Sequence, residues 1–172
     1  MQTLDEIVED NLLARFDTRN EVMEMEGFDY QSSLEIDINI DGGKYNLLEA
    51  TKIMMITDEL VENATKAIYG FEIPHKRQDN EGLKKICGRI KFNVYEKGEN
   101  YVLSCEDNGC GIPEENKDLI FIYEFSTRGT GGVGLFTIRE HVEYLGGEIY
   151  FKSKVGEGTT FYVELPKLKS KI

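Results

Sequence analysis

The chain has 172 residues, enough for one domain with a hydrophobic core and too few for two ordinary domains. Hydrophobic residues make up 40% of the sequence and charged residues 30%, a composition typical of soluble globular proteins. The formal net charge is −12, and so acidic a surface repels phosphate backbones and anionic lipids. We therefore expect no nucleic acid among the direct partners and no direct membrane insertion.

The cysteines favour a reducing compartment. Cys87, Cys105 and Cys110 form no Cys-x-x-Cys pair, and the sequence shows neither a signal peptide nor an apolar run of about 18 residues. We expect free thiols and a cytoplasmic location.

Hydrophobic periodicity and turn residues divide the chain into helices and strands. In chain order the sequence predicts an amphipathic helix over 4–16, an acidic connector over 17–33, a strand over 34–40, a long helix over 47–69, a polar loop over 70–89, strands over 90–95 and 101–105, a short helix within 113–121, a helix over 133–145, and strands over 148–153 and 159–165. The order β-α-β-β-α-β-β predicts an α/β fold, a two-layer sandwich in which a mixed sheet has its helices on one face.

The first of four informative sequence blocks covers residues 59–67 of the long helix, and it has three polar residues on one face. Glu59, Asn63 and Lys66 are spaced i, i+4 and i+7, which places them within about 60° of one another. A neutral amide oxygen suits Mg²⁺, a lysine can reach phosphate oxygens, and a glutamate can polarise an attacking water. Taken alone, the spacing fits a solvated helix face better than a nucleotide site. The blocks that follow make the nucleotide site the better interpretation.

The segment Asp107-Asn108-Gly109-Cys110-Gly111-Ile112-Pro113 follows a predicted strand. A carboxylate at a strand end can accept a hydrogen bond from the exocyclic amine of adenine, whereas guanine presents a carbonyl at that position. Gly109 and Gly111 remove side chains where a base would approach the backbone. The other interpretation is a common Asp-Asn-Gly turn.

A second glycine block, Gly129-Thr130-Gly131-Gly132-Val133-Gly134-Leu135, leads into a predicted helix. Backbone N–H groups and a helix N-terminus there can bind phosphates. Thr127 and Arg128 precede the block, and Arg128 is either a γ-phosphate ligand or one more surface arginine. The loop that ends there, the lid, is short, because Gly129 follows Ile112 by only 17 positions.

A fourth block, Gly156-Glu157-Gly158-Thr159-Thr160-Phe161, has the chemistry of a hairpin turn. The four blocks in this order, over roughly residues 34–166, resemble the Bergerat-fold (GHKL) ATP-binding family, which includes histidine kinases, gyrase, heat-shock chaperones and anti-sigma-factor kinases. The resemblance implies a mostly antiparallel sheet and an ATP-binding catalytic domain over 34–168. The helix and connector predicted above then form an N-terminal segment over 1–33, and 169–172 form a short tail.

The resemblance also implies roles for individual residues. Glu59 matches the general base of gyrase-like ATPases and several kinases, Asn63 matches the Mg²⁺ ligand, and Thr159 matches a threonine near the base. The resulting candidates for ATP binding are Asn63, Lys66, Asp107, Gly109, Gly111, Ile112, Thr127, Arg128, Gly129, Gly131, Gly132, Val133, Gly134, Leu135 and Thr159.

Neither histidine has the setting of a phospho-acceptor. His75 lies in the polar loop and His141 on the polar face of a helix, and both are expected at the surface. The sequence therefore predicts the Mg·ATP-binding catalytic domain of a histidine kinase. Its partner would be a histidine-containing dimerisation domain or a response regulator. The alternatives are a serine/threonine kinase of the anti-sigma-factor type and a nucleotide-gated binding module.

Overall fold

A computed structural model of the chain describes residues 2–13, 30–39, 44–69, 86–125 and 132–167. Its strands are β1 Gln2–Thr3, β2 Tyr30–Asn39, β3 Lys44–Tyr45, β4 Ile86–Lys97, β5 Asn100–Asp107, β6 Glu148–Lys154 and β7 Gly158–Pro166. The helices are α1 over 4–13, α2 Leu47–Tyr69 and α3 Gly134–Tyr144, with a short 3₁₀ turn at Glu114–Asn116.

The main sheet has five strands in the order β2-β4-β5-β7-β6. Only the β2–β4 pair is parallel, and the other three pairs are antiparallel. The first hairpin, β4–β5, turns through Gly98 at φ +61°, a conformation that favours glycine. This mixed, mostly antiparallel sheet confirms the predicted fold class. In the register of the central strands, Asp107 of β5 lies opposite Thr159 of β7.

The long helix α2 begins at a capping box. The Asn46 side chain accepts hydrogen bonds from the N–H groups of Leu48 and Glu49 at 3.0 and 3.1 Å, and Glu49 accepts one from the Asn46 N–H at 3.0 Å. Its apolar stripe is buried against the sheet and includes Ile53 and Leu60, both fully buried. The polar face with Glu59 and Asn63 is therefore turned away from the core.

The N-terminal helix α1 belongs to the same hydrophobic core. Its buried side chains cluster with those of α2 and the sheet, and they are Leu4, Ile7, Val8 and Leu12. The Asn11 amide donates to Thr57 Oγ1 and Asp58 Oδ1 of α2, both at 2.8 Å. The predicted domain boundary at residue 33 stays a prediction, and residues 168–172 lie outside the described residues.

Three element predictions need correction. Strand β2 begins at Tyr30, not Leu34, and β4 begins at Ile86, within the segment predicted as a loop. These two extensions pair with each other, Tyr30 opposite Ile86 and Ser33 opposite Arg89. Neither extension alternates between polar and apolar residues, which is the pattern that predicts a strand. Backbone pairing in a parallel ladder does not need that alternation. The expected helix within 113–121 is only a 3₁₀ turn, and the small β1–β3 sheet was not predicted.

Candidate functional site

A cleft of about 360 Å³ lies between α2, the loop after β5, the start of α3 and the start of β7. Its lining residues are Glu59, Asn63, Lys66, Ala67, Asp107, Cys110, Gly111, Ile112, Pro113, Asn116, Ile120, Phe125, Gly132, Val133, Gly134, Leu135, Thr159 and Phe161. All four sequence blocks contribute, although they lie up to a hundred positions apart.

The cleft has two ends along α2. We call the region around Glu59, Asn63 and Gly134 the helix end, and the region around Asp107 and Thr159 the strand end. The strand end adjoins Ala67, whose carbonyl accepts a hydrogen bond from the Cys110 N–H at 2.9 Å. Ala67 follows Glu59 by eight positions on α2, so the two ends are about 12 Å apart along the helix.

At the helix end, α2 presents its polar face to the N-terminus of α3. A methyl group at Gly134 would overlap Glu59 Oε2 and would lie 3.9 Å from Asn63 Nδ2. A glycine at the start of α3 therefore leaves room for the Glu59 carboxylate beside the first turn of that helix, whose N–H groups have no partners within the helix. Gly132, two residues before Gly134, has φ +58° and packs against the Phe125 backbone.

Asn63 is the residue that fits a metal ligand. Its Nδ2 is buried and has no hydrogen-bond partner among the described residues, so the donor capacity of the amide is unused there. The described residues contain no group of three His, Cys, Asp or Glu side chains able to hold a metal ion. This donor set suits Mg²⁺, which takes few protein ligands and completes its shell with phosphate oxygens and water.

Lys66 stands at the margin of the cleft. Its Nζ lies 2.6 Å from Glu62 Oε1, one turn earlier on α2, and both side chains are about one-third exposed. Sequence analysis singled out Lys66 but missed Glu62, although the i,i+4 spacing signals the pair. The ammonium group lines the cleft while it is held by this ion pair.

At the strand end, the polar groups are buried and hydrogen-bonded. Asp107 is only 5% exposed, and its Oδ1 accepts a hydrogen bond from the Gly109 N–H at 2.8 Å. Thr159, 4% exposed, lies beside it across the β5–β7 ladder. Burial, with a contribution from Asp107, raises the pKa of the Cys105 thiol above its ordinary value, so this cysteine is a neutral core residue.

Backbone contacts between loops fix the strand end. Gly111, at φ +71°, has no room for a side chain, because a methyl group would overlap the Lys154 carbonyl. Gly109 does not line the cleft. A methyl group there would lie 2.5 Å from the Ala67 carbonyl carbon, so its packing against α2 accounts for the glycine.

Ser153, on β6 opposite Thr159, was not predicted as part of the site. Its hydroxyl contacts the Ile112 N, the Gly158 carbonyl and the Thr159 hydroxyl. The predicted hairpin ended at Ser153 and resumed at Thr159, so the register of that hairpin was the available signal. The apolar lining, including Ile120, Phe125 and Phe161, was also missed because it comes from scattered positions.

His141 is less exposed than the predicted surface position implies. It is partly buried on α3, its Nδ1 lies 3.4 Å from Lys52 Nζ of α2, and its Nε2 is buried without a partner among the described residues. Burial first, and Lys52 second, lower the pKa of His141 below its ordinary value. The remaining candidates lie outside the described residues, and they are His75, Thr127, Arg128, Gly129 and Gly131.

None of the helices in the described ranges combines the length and apolar character needed to cross a bilayer.

The comparisons with known proteins agree with this geometry. The family described as histidine kinase-, DNA gyrase B- and HSP90-like ATPase matches residues 49–169. The sensor histidine kinase DpiB of Escherichia coli is 31% identical over 126 residues, which cover 71% of this chain and 21% of that protein. A probable C4-dicarboxylate sensor kinase of Halalkalibacterium halodurans is 40% identical over 117 residues, which cover 67% of this chain and 20% of the kinase.

A solved structure shows the same fold. The nucleotide-free catalytic domain of histidine kinase ThkA aligns over 97% of this chain and 99% of its own, with a TM-score of 0.67 and 24% identity. The chain spans about a fifth of the length of the two curated relatives. The predicted resemblance is confirmed, and the histidine-kinase type is supported over the serine/threonine-kinase alternative. The chain belongs to the family of histidine kinase-, DNA gyrase B- and HSP90-like ATPases, and the relatives it matches are sensor histidine kinases.

Proposed function

We propose that the cleft binds ATP with Mg²⁺ and that the chain transfers the γ-phosphoryl group to a histidine supplied by another region or by a partner. One observation carries the proposal: four separate sequence blocks line one cleft whose two ends differ chemically. One end has buried, fully oriented acceptors, and the other has a helix N-terminus with an unsatisfied amide. An adenine nucleotide is a ligand with two matching ends.

The adenine ring belongs at the strand end. A carboxylate accepts hydrogen bonds, so Asp107 can accept one from the 6-amino group of adenine. Ile112, Ile120 and Phe161 supply apolar contacts for the ring. Gly111 also lines this end of the cleft.

The phosphates belong at the helix end. The first N–H groups of α3 have no partners within the helix, and the helix dipole favours an anion there. Asn63 would hold Mg²⁺, which supplies charge neutralisation of the phosphate oxygens when bound. Lys66 is close enough to the cleft to exchange its Glu62 partner for a phosphate. Thr127, Arg128, Gly129 and Gly131 remain proposed ligands on sequence grounds.

The reaction needs a nucleophile, a base and a leaving group. A nitrogen of the acceptor histidine attacks the γ-phosphorus, the bond from that phosphorus to the bridging oxygen breaks, and ADP leaves with the electron pair. Glu59 is the carboxylate we assign as acceptor of the proton that the nucleophile loses. Most of the acceleration would come from positioning and electrostatic stabilisation.

The acceptor would come from a histidine-bearing dimerisation domain, and the phosphoryl group would pass on to a response regulator. The partly buried position of His141 between α2 and α3 supports an acceptor outside the described residues. The buried Cys105 forms no disulfide bond among the described residues, which supports a cytoplasmic location, where ATP is available.

Labelling with γ-³²P-ATP tests the proposal. The chain is incubated with Mg·ATP and a histidine-bearing dimerisation domain from the same sensor kinase. Acid-labile label on the added domain is the expected result. Acid-stable label would indicate a serine or threonine acceptor, and nucleotide binding without label transfer would indicate a nucleotide-gated binding module. Either of these outcomes contradicts the assigned reaction.

A further inference from the structure

The hydroxyl of Ser153 joins three segments around the strand end. Its Oγ lies 2.8 Å from the Ile112 N, 3.1 Å from the Gly158 carbonyl oxygen and 2.9 Å from Thr159 Oγ1. Ser153 does not line the cleft, whereas Ile112 and Thr159 do. The serine therefore acts on the cleft only through these neighbours.

The identity of the partners fixes the direction of each hydrogen bond. A backbone N–H can only donate, a carbonyl oxygen can only accept, and a serine hydroxyl has one hydrogen. Ser153 therefore accepts from Ile112 and donates its hydrogen to Gly158. The contact with Thr159 is satisfied only if Thr159 donates its hydroxyl hydrogen to Ser153. This is the one assignment in which all three contacts are hydrogen bonds.

The assignment leaves Thr159 with only acceptor capacity toward the cleft. Thr159 lies beside Asp107 across the β5–β7 ladder, and the Asp107 carboxylate is also an acceptor. The two buried polar side chains at the strand end thus present oxygen lone pairs and no donor. A ligand group beside them must bring its own hydrogen.

We propose that Ser153 is a specificity-determining positioning residue, which makes the strand end selective for a 6-amino purine by holding the Thr159 hydroxyl hydrogen away from the base. This inference rests on the proposed nucleotide site, with the base at the strand end. A 6-amino group donates to the two acceptors, directly or through one water. A 6-carbonyl group, as in hypoxanthine or guanine, finds only lone pairs. Without Ser153, the Thr159 hydroxyl is free to rotate and to donate to such a carbonyl.

Binding of ADP and inosine diphosphate tests the inference, because the two bases differ only at position 6 and at the neighbouring ring nitrogen. Affinities are measured by calorimetry for wild type, Ser153→Ala and Ser153→Thr. We expect Ser153→Ala to reduce the ratio of ADP affinity to inosine diphosphate affinity about 5- to 10-fold, the effect of one hydrogen bond. Ser153→Thr retains a hydroxyl and should keep most of the wild-type ratio.

The ratio separates specificity from general damage, since a loosened site weakens both nucleotides alike. Ser104→Ala is the matched control: Ser104 is also buried in the sheet, 4% exposed, but bonds Asn93 away from the cleft. In a Thr159→Val background, Ser153→Ala should not reduce the ratio of ADP affinity to inosine diphosphate affinity any further, because residue 159 then has no hydroxyl to rotate.

An unchanged ratio in Ser153→Ala overturns the proposal while leaving ATP binding intact. If that variant fails to fold, Ser153→Cys must show the reduced ratio, because a thiol is a weak hydrogen-bonding group. An unchanged ratio there overturns the proposal equally. If wild type binds neither nucleotide, the proposed function fails as well, and this inference fails with it.

Discussion

The two ends of the cleft are built differently. At the strand end, Asp107 and Thr159 are almost fully buried, and protein groups already occupy much of their hydrogen-bonding capacity. At the helix end, the Asn63 amide nitrogen has no partner among the described residues, and Lys66 is tied to a partly exposed glutamate. The strand end is thus preorganised, whereas the helix end keeps a buried N–H donor without a partner among the described residues and a lysine in a partly exposed ion pair.

The difference teaches how binding and chemistry are divided. A preorganised end can select a base at little ordering cost. Under the proposed function, the helix end gains most when charged phosphates and Mg²⁺ arrive, and phosphoryl transfer would take place there. Substitutions at the two ends should therefore affect different measurements, as the following predictions specify in order of decreasing effect.

The largest effect is expected for Glu59→Gln. If Glu59 takes the proton of the nucleophile, phosphoryl transfer to the partner domain should fall about 10²- to 10⁴-fold. Mg·ATP affinity should stay close to wild type, because binding needs the Asn63, Asp107 and α3 contacts. Rates come from single-turnover labelling and affinities from calorimetry. Glu140→Gln, the same charge change on the exposed part of α3, is the control.

The assignment of Glu59 would be wrong if transfer were unchanged in Glu59→Gln. A joint loss of transfer and binding would also contradict it, since Glu59 would then be holding the metal or the fold.

At the strand end, Asp107→Asn should weaken ADP binding about 10- to 150-fold, the loss of a buried charged hydrogen bond of roughly 1.5–3 kcal/mol. The loss should be similar with and without Mg²⁺, because this end does not contact the metal. Glu106→Gln is the control, since Glu106 is the residue before Asp107 on β5 and pairs with Arg89. Equal ADP affinities for Asp107→Asn and wild type would remove Asp107 from the site.

At the helix end, Asn63→Ala should produce a loss that depends on the metal. Mg·ATP affinity should fall by about tenfold or more, whereas metal-free ADP should bind nearly as to wild type, because only the former uses the ligand. Calorimetric titrations with magnesium and with EDTA measure both. Equal losses for the two nucleotides would make Asn63 a structural residue and would place the metal elsewhere.

The smallest effect concerns pH and the contact between α2 and α3. The lowered pKa of His141 means that the folded state binds fewer protons than the unfolded state near the ordinary pKa of 6.5. The stabilisation is therefore present above pH 6.5 and is lost as the pH falls below it. Lys52 faces the ring from α2, and Glu140 lies next to His141 on α3.

Urea unfolding of wild type and His141→Gln between pH 5 and 8 measures this dependence. The wild-type free energy of unfolding should decrease more steeply on acidification than that of the variant. Parallel pH dependences would mean that His141 contributes nothing to it.

Much of the fold and of the cleft could be predicted from local sequence. The apolar stripe of α2, its polar face and the glycine turns are short-range patterns, and their spacing defines one face or one turn. Glu59, Asn63 and Asp107 lie in such patterns, whereas Thr159 was predicted only from the family resemblance, and all four line one cleft.

The rest depends on contacts between distant segments. The first four residues of β2 and of β4 do not alternate between polar and apolar, and the two segments pair with each other. Ser153 gains its role from three partners that are 5 to 41 positions away. His141 looked solvent-facing on its own helix, but α2 covers it. Periodicity describes one element at a time and cannot supply such pairings.

The most direct test of the two-ended site is a set of amide chemical-shift titrations with parts of the nucleotide. Adenosine should perturb the amides of Gly109, Ile112 and Thr159 at the strand end and leave those of Gly134 and Leu135 unchanged. Magnesium tripolyphosphate should perturb the second group and spare the first, and Mg·ATP should perturb both. If adenosine shifted the α3 amides, or if Mg·ATP shifted neither group, the cleft would not be the nucleotide site described above.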